Sequence, residues 1–118
     1  MGFDCDKWIS DALSGLDASL PASHEPMLKA QSDEAWVVWR EMGQRQIRAS
    51  GERVGVQHNL RLTVSFTETM DYQRVTRIIQ EALQEAPGCV YARNGGDMWN
   101  QESRRRECTL YVGILEVV

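Results

Sequence analysis

The sequence predicts a single α+β domain: a mostly antiparallel sheet of four to six strands with two helices packed on one of its faces. Three observations carry this prediction. Residues 54–66 alternate apolar and polar side chains, as a long strand with one buried face does. Residues 72–86 repeat apolar side chains every three or four positions, as an amphipathic helix does. Strand-like segments lie on both sides of that helix, and a chain of 118 residues, 42% of them hydrophobic, suits one core across residues 1–118.

Charge is distributed unevenly along the chain. The formal net charge of -4 argues against a general nucleic-acid binder, since such proteins usually carry a basic balance. Acidic residues predominate in residues 1–34, whereas arginines predominate in residues 40–61. This asymmetry fits subunits that dock an acidic patch against a basic one, and a solvated charged face is the ordinary alternative.

The sequence predicts a cytosolic protein with reduced cysteines. No apolar run approaches the roughly 20 residues that span a bilayer, and the first residues lack the basic and apolar regions of a secretory signal. Cys5, Cys89 and Cys108 are odd in number and widely spaced, so we expect neither a disulfide nor a metal ion bound by them. No cofactor is expected.

The first third of the chain is predicted to hold one helix and a connector. Apolar side chains in residues 3–16 fall near a helical stripe, and Asp4 is placed to cap the start of this helix. Residues 17–34 contain two prolines and show no sustained period, which is typical of a connector. The core is then expected in residues 35–118.

Residues 35–40 form a run of aromatic and β-branched side chains, which favours a strand. In a strand, Trp36 and Val38 point to one face and Val37 and Trp39 to the other, so both faces are apolar. Either this strand is central in the sheet, or one of its faces, with Trp36 or Trp39, contacts another subunit.

Residues 41–53 are too polar to be a core segment. They include Arg45, Arg48 and Arg53 and few sizeable hydrophobic side chains. We expect a long exposed loop or a hairpin arm that projects into solvent or onto a partner. The three arginines suit contact with a neighbouring subunit or with DNA, because guanidinium groups pair with carboxylates and with phosphates.

The second half of the chain is predicted to add a helix and several strands. Asp71 is a candidate N-cap of the helix at residues 72–86, and Pro87 and Gly88 end it. The segments expected to follow are a short strand at 89–92, an Asn-Gly hairpin turn at 93–97, a weak edge strand at 98–104 and a long central strand at 106–118. The core expected between sheet and helix consists of Leu60, Leu62, Val64, Ile78, Ile79, Leu83, Leu110, Val112 and Ile114.

The sequence contains no catalytic or metal-binding motif. His24 and His58 have no Cys or carboxylate at the local spacing of a zinc site, so we expect packed or surface histidines. No serine lies in a G-x-S-x-G elbow, and Gly95-Gly96 lacks the pattern of a phosphate loop. The three arginines at 104–106 are expected at a solvated edge or in an intersubunit salt bridge. The sequence therefore predicts no enzyme.

The order of these segments resembles a known family. The segments that carry the likeness are the short N-terminal helix, the proline-containing connector, Trp36-Val37-Val38-Trp39, Val56-Gln57-His58-Asn59-Leu60-Arg61-Leu62-Thr63-Val64, the helix at 72–86 and the terminal strand at 108–118. Their order is similar to that of the small tail-terminator or tail-completion proteins of long-tailed bacteriophages and prophages. The likeness covers most of the chain from Trp8 onward and consists of patterns rather than invariant motifs.

The resemblance implies a structural virion protein that forms a ring, typically a hexamer, which caps the finished tail tube and joins it to the head. The implied partners are further copies of the chain, the tail-tube and head-completion proteins, and DNA passing through the ring opening, with no membrane. The implied locations are the bacterial host cytoplasm during assembly and the neck of the virion. The family has no catalytic residues to carry over, and residues 41–53 match none of its motifs.

Two other classes of protein stay open. A ligand-binding or regulatory α+β domain of ferredoxin-like type would show a deep apolar pocket and a simple dimer. A small enzyme is the third class.

Overall fold

A computed structural model describes residues 3–13, 22–24, 35–67 and 72–117, and for residues 22–24, 35, 36 and 67 it describes the backbone alone. Within these residues the chain forms two helices and five strands. In chain order they are α1 (Cys5–Leu13), β1 (Ala22–His24), β2 (Ala35–Ala49), β3 (Glu52–Thr67), α2 (Tyr72–Glu85), β4 (Cys89–Asn100) and β5 (Arg105–Val117). The predicted α+β class is confirmed.

The described strands form one sheet in the order β1-β2-β3-β5-β4. The four strands from β2 to β4 pair antiparallel, and β1 pairs parallel to β2. Since β5 runs antiparallel to both β3 and β4, those two strands are parallel to each other, and β3, α2 and β4 form a split β-α-β unit. The predicted central position of the terminal strand is confirmed, because β5 lies between β3 and β4.

The alternation in β3 sets the buried face of the sheet. Leu60, Leu62, Val64 and Phe66 are at most 1% exposed and share one core with even-numbered residues of β5 and with both helices. A register slip of one residue would turn this whole face to solvent. Both helices therefore pack on the same face, as the sequence predicts.

The prediction of a core position is wrong for one residue, Ile78. Ile78 is 38% exposed, whereas Ile79 and Leu83 are fully buried. The residues of α2 that face the sheet are Thr76, Ile79 and Leu83, spaced three and four apart. Ile78 lies about 100° round the helix from Ile79 and so points away from the sheet. The other eight residues of the predicted core are buried.

The ends of the helices follow local capping chemistry. The Asp4 Oδ1 carboxylate oxygen accepts a hydrogen bond from the Lys7 backbone N–H at 3.0 Å, so Asp4 is the N-cap of α1. Residues 14–16 of the predicted first helix, and the predicted cap Asp71, lie outside the described residues. After α2, Gly88 takes a positive φ of 85°, which turns the chain from the helix into β4.

Strand β2 is longer than the strand predicted at residues 35–40. Val37, Val38 and Trp39 are all buried, so both faces of this stretch are covered. β2 lies between β1 and β3, which matches the alternative of a central strand. β1 itself falls within residues 17–34, where the sequence predicts only a connector.

The segment at 41–53 is a hairpin arm, and the alternative of a loop is wrong. β2 continues to Ala49 and β3 begins at Glu52, with Ala49 paired to Glu52. The two residues between them, Ser50 and Gly51, have φ values of 52° and 81°. Positive φ at both positions is typical of a type I′ turn, which matches the twist of antiparallel strands.

The predicted hairpin turn at 93–97 is wrong, because β4 runs through it without a break. The strand absorbs the two glycines as an irregularity in pairing between Asn94 and Gly96, where the Gly96 N–H donates to the Asn94 Oδ1 at 2.7 Å. The segments predicted at 89–92 and 98–104 are therefore largely one edge strand. The connection to β5 is formed instead by residues 101–104.

The three arginines at 104–106 do not share one environment. Arg105 is 4% exposed and donates to the Ser65 Oγ at 2.6 Å and to the Ser65 carbonyl at 2.9 Å. The predicted solvated edge is wrong for this residue, because β5 pairs with β3 on one side and places Arg105 over Ser65. Arg106 forms an ion pair with Asp97 at 3.1 Å.

Candidate functional site

Beyond the helices, β2 and β3 extend as a two-stranded arm. We define the arm as residues 43–54, in which every side chain is exposed except Ile47, which is half-buried. The pairing of β3 with β5 stops at Gly55 and Val117, so the described part of the arm has no third strand. A strand of 16 residues, the length of β3, extends about 50 Å.

The arm carries the three arginines that the sequence singles out. Arg45, Arg48 and Arg53 are all exposed. Arg48 and Arg53 are direct cross-strand partners, and like charges opposite each other destabilise a strand pair. Among the described residues, Arg45 and Arg53 have no ion-pair partner in their own chain. The arm therefore presents unpaired positive charge far from the core.

Acidic side chains lie on the surface helix α1 and at its N-cap. Asp4, Asp6 and Asp11 accompany one cation, Lys7, whose Nζ lies 2.9 Å from the Asp11 carboxylate. Three of the seven acidic residues in positions 1–34 thus lie on α1 or at its cap, while the basic segment forms the arm.

The sequence singles out two tryptophans, Trp36 and Trp39, and the structure describes the side chain of Trp39 but only the backbone of Trp36. Trp39 is 8% exposed and packs in the core of its own chain, where its Nε1–H donates to the Asp6 Oδ1 at 2.6 Å. This bond ties α1 to β2. The backbone of Trp36 pairs with Ser65, and its side chain lies outside the described residues.

A buried polar cluster lies where the arm leaves the sheet. We call it the His58 cluster: Cys5, Glu41, His58 and Glu116. The His58 Nδ1 lies 2.7 Å from the Glu41 Oε2, and its Nε2 lies 2.9 Å from the Glu116 Oε1. The donor atoms of Cys5, Glu41 and His58 all lie within 4.8 Å of one another. The Phe3 ring stacks on the imidazole at a centroid distance of 4.9 Å.

Sequence reasoning missed this cluster because four separate elements build it. Cys5 begins α1, Glu41 lies in β2, His58 in β3 and Glu116 in β5. Glu41 lies on the helix-facing side of β2, opposite Leu60, because it follows Val37 and Trp39 at two-residue spacing. The one signal in the sequence was a histidine on the apolar face of a strand.

Burial and carboxylates perturb the pKa values in the cluster. Burial raises the pKa of the Cys5 thiol to about 11, and the nearby Glu41 and Asp4 carboxylates act in the same direction. Burial by itself would lower the pKa of His58, but hydrogen bonds to Glu116 and Glu41 outweigh it and raise that pKa above its ordinary value. Without a metal ion, the cluster therefore combines a protonated Cys5 thiol with a His58 ring whose cationic form is favoured by hydrogen bonds to two carboxylates.

The pockets among the described residues are surface grooves. One groove with a mostly apolar lining, of about 600 Å³, lies between α1 and α2 and is lined by Trp8, Ala12, Ala82 and Pro87 among others. Another, of about 430 Å³, lies on the opposite face of the sheet beside Arg61 and Thr109. No helix among the described residues has the length and apolar character needed to cross a membrane.

Fold and site together define a class of protein: a single-domain α+β protein whose sheet has four antiparallel strands and one short parallel strand, with two helices on one face and a basic two-stranded arm. No family model matches the chain, and no curated protein matches it. Among solved structures it is similar to the sheath/tube terminator, in its extended state, of PVC, an extracellular contractile injection system. The TM-score is 0.48 at 13% identity, and the match covers 100% of this chain and 57% of that one. The chain thus spans little more than half the length of that protein.

Proposed function

We propose that this chain is a structural assembly protein of a phage or prophage tail, which completes the tail tube at the head–tail junction as a ring of identical subunits. Its partners are then further copies of itself, the tail-tube protein and a head-completion protein. It acts in the bacterial cytoplasm during assembly and afterwards in the virion, and it is not an enzyme. The order of its segments, which resembles that of tail terminators, supports this proposal.

The observation that carries the proposal is the exposed arm. An isolated two-stranded ribbon is at best marginally stable in water, and this one places Arg48 opposite Arg53. An acidic partner surface would relieve that repulsion and cover the ribbon. The helix α1, with Asp4, Asp6 and Asp11, supplies such a surface on a second copy of the chain.

Contact between the arm of one copy and α1 of the next joins two different surfaces. Such heterologous contacts repeat from subunit to subunit and close into a ring when the rotation permits. Acidic partners on α1 favour a neighbouring subunit over DNA as the main target of the arm. Any DNA contact would then be a secondary one, within the ring opening.

The test is a paired charge reversal followed by mass measurement. The variant Arg45→Glu/Arg53→Glu reverses two arm residues that form no ion pair with the part of the chain that the structure describes. The control Arg74→Glu/Arg77→Glu makes the same change in charge on α2, at two exposed positions outside the arm. Multi-angle light scattering gives the mass of each, and far-ultraviolet circular dichroism reports whether it folds.

We expect the arm variant to be a folded monomer and the α2 control to keep the mass of the unmodified protein, because reversing charge at a complementary contact between subunits costs more than reversing it away from that contact. An arm variant that assembles as well as the control would contradict the proposal. A mass that corresponds to a simple dimer in the unmodified protein would favour the alternative, a ferredoxin-like regulatory domain that binds its ligand in the groove between α1 and α2.

A further inference from the structure

We propose that Cys5, Glu41 and His58 form a binding site for a divalent metal ion of the zinc class, with Glu116 as the residue that orients His58. This site is independent of the proposed role in tail assembly. It also departs from the expectation, based on sequence spacing, that no cysteine binds metal.

The geometry of the donor atoms suits such an ion. The Cys5 Sγ, a Glu41 carboxylate oxygen and a His58 ring nitrogen lie within 4.8 Å of one another. Donor atoms round a tetrahedral zinc ion lie about 3.5 Å apart, given bond lengths of about 2.0 to 2.3 Å. Shifts of roughly 1 Å in side-chain position, within reach of small rotamer adjustments, would therefore bring all three donors to bonding distance.

The chemistry of the donors points to the same class of ion. Thiolate, imidazole and carboxylate are the three kinds of side chain that bind zinc in proteins. On binding, the proton on the Cys5 Sγ and the proton on the His58 Nδ1 leave to solvent. The Cys5 thiolate and the Glu41 carboxylate then balance the doubly charged ion, which suits a place where Cys5 and His58 are 7% and 5% exposed. The one remaining negative charge lies on Glu116, whose side chain is 32% exposed.

Glu116 lies against the ring nitrogen of His58 that would not bind the metal ion. Its Oε1 lies 2.9 Å from the His58 Nε2, so the ring donates through Nε2 and presents Nδ1 to Glu41. Metal-ligating histidines almost always donate their other ring N–H to a carboxylate or a carbonyl in this way. The stacked Phe3 ring, at an interplanar angle of 19°, further restricts the imidazole.

The location of the site gives the ion a structural role. It would join the first residue of α1 to β2 and β3 at the base of the arm, across a long stretch of sequence. Three protein donors leave a fourth position for water. Since the ion binds the folded chain in preference to the unfolded one, it would raise stability in proportion to its affinity.

The test uses the full untagged chain, stripped of metal with a chelator and then titrated with Zn²⁺ or Co²⁺. We expect one equivalent of either ion per chain by elemental analysis after dialysis. With Co²⁺ we expect a thiolate-to-cobalt charge-transfer band in the near ultraviolet. The band should disappear in Cys5→Ser and persist in Cys89→Ser and Cys108→Ser, which remove thiols outside the cluster.

A further variant separates a ligand from the residue that orients it. Glu116→Gln should retain one equivalent of Co²⁺ and the thiolate band but bind roughly 10- to 100-fold more weakly, as loss of such a supporting group typically does. Less than stoichiometric metal in the unmodified chain would overturn the proposal whether or not the variants fold. A charge-transfer band that survives in Cys5→Ser would overturn it equally.

Discussion

At the scale of single residues, His58 and Arg105 are polar side chains that this fold buries and holds with specific partners. His58 is bonded through both ring nitrogens, to Glu41 and Glu116. Arg105 is bonded to the hydroxyl and the carbonyl of Ser65. A buried polar group without partners would cost on the order of 1 to 3 kcal/mol, so these contacts decide whether such residues are tolerated in the sheet.

The apolar residues of β3 provide a direct test of the core. Leu62 is fully buried and pairs across the sheet with Trp39 on one side and Leu110 on the other. We expect Leu62→Ala to lower the free energy of unfolding by about 2 to 5 kcal/mol, since it removes buried methyl groups and leaves a cavity. Urea denaturation measures this loss.

Val54, on the same strand, is the matched control for Leu62. Its side chain is 40% exposed, so Val54→Ala should change the free energy of unfolding by no more than about 0.5 kcal/mol. If the two substitutions have equal effects, the assigned register of β3 is wrong.

At the scale of elements, close packing on the face of the sheet opposite the helices depends on a glycine in β5. The Tyr91 ring lies over Gly113, and its hydroxyl donates to the Asn59 Oδ1 at 2.8 Å. A Cβ at Gly113 would overlap that ring. We expect Gly113→Ala to destabilise the protein by about 1 to 3 kcal/mol, as overpacking does, and thermal or urea unfolding measures it.

Gly43 in β2 is the control for that substitution. A Cβ there would meet nothing within 4 Å and its φ is not positive, so Gly43→Ala should be neutral or slightly stabilising. The double variant Tyr91→Ala/Gly113→Ala should also recover part of the loss. A Gly113→Ala protein as stable as Gly43→Ala would show that Tyr91 does not pack on β5.

A substitution in the like-charged pair of the arm can distinguish the stability of the subunit from its assembly. Arg48 faces Arg53 across the strands, so Arg48→Glu would replace a repulsion with an attraction. We expect this single substitution to stabilise the isolated subunit by about 0.2 to 1 kcal/mol while weakening assembly. Urea unfolding at high dilution and light scattering at higher concentration measure the two effects. A gain in both stability and assembly would contradict a role for Arg48 at an acidic interface.

At the scale of the whole molecule, opposite charges lie on separate elements. Arginines extend along the arm, and aspartates lie on α1. If these surfaces join neighbouring subunits, the assembly must depend on ionic strength, because the Debye length falls from about 10 Å at 0.1 M salt to about 3 Å at 1 M.

We therefore expect the mass measured by light scattering to decrease as NaCl is raised from 0.05 M to 1 M, at a fixed protein concentration. Far-ultraviolet circular dichroism should stay constant over this range, since the core of the subunit is apolar. If the mass is that of an oligomer and does not change with salt, apolar contacts, not the arm and α1, hold the subunits together.

The sequence by itself determined the class of fold and the buried face of the sheet. Period-two alternation in β3 and the three- and four-residue spacing in α2 are local consequences of strand and helix geometry, so they can be recognised in one dimension. They identified most of the core, the central place of β5 and the exposed segment with Arg45, Arg48 and Arg53. The cap at Asp4 was likewise visible, because its bond spans three residues.

Tertiary structure alone decided how segments distant in sequence combine. The glycines at 95 and 96 read locally as a turn, yet pairing with β5 carries β4 through them. Residues 41–53 are polar, yet pairing between β2 and β3 makes them a hairpin instead of a loop. Cys5, His58 and Glu116 are far apart along the chain, and only the packing of α1 on neighbouring strands brings them together. Long-range backbone pairing and packing outweighed local preference at each of these places.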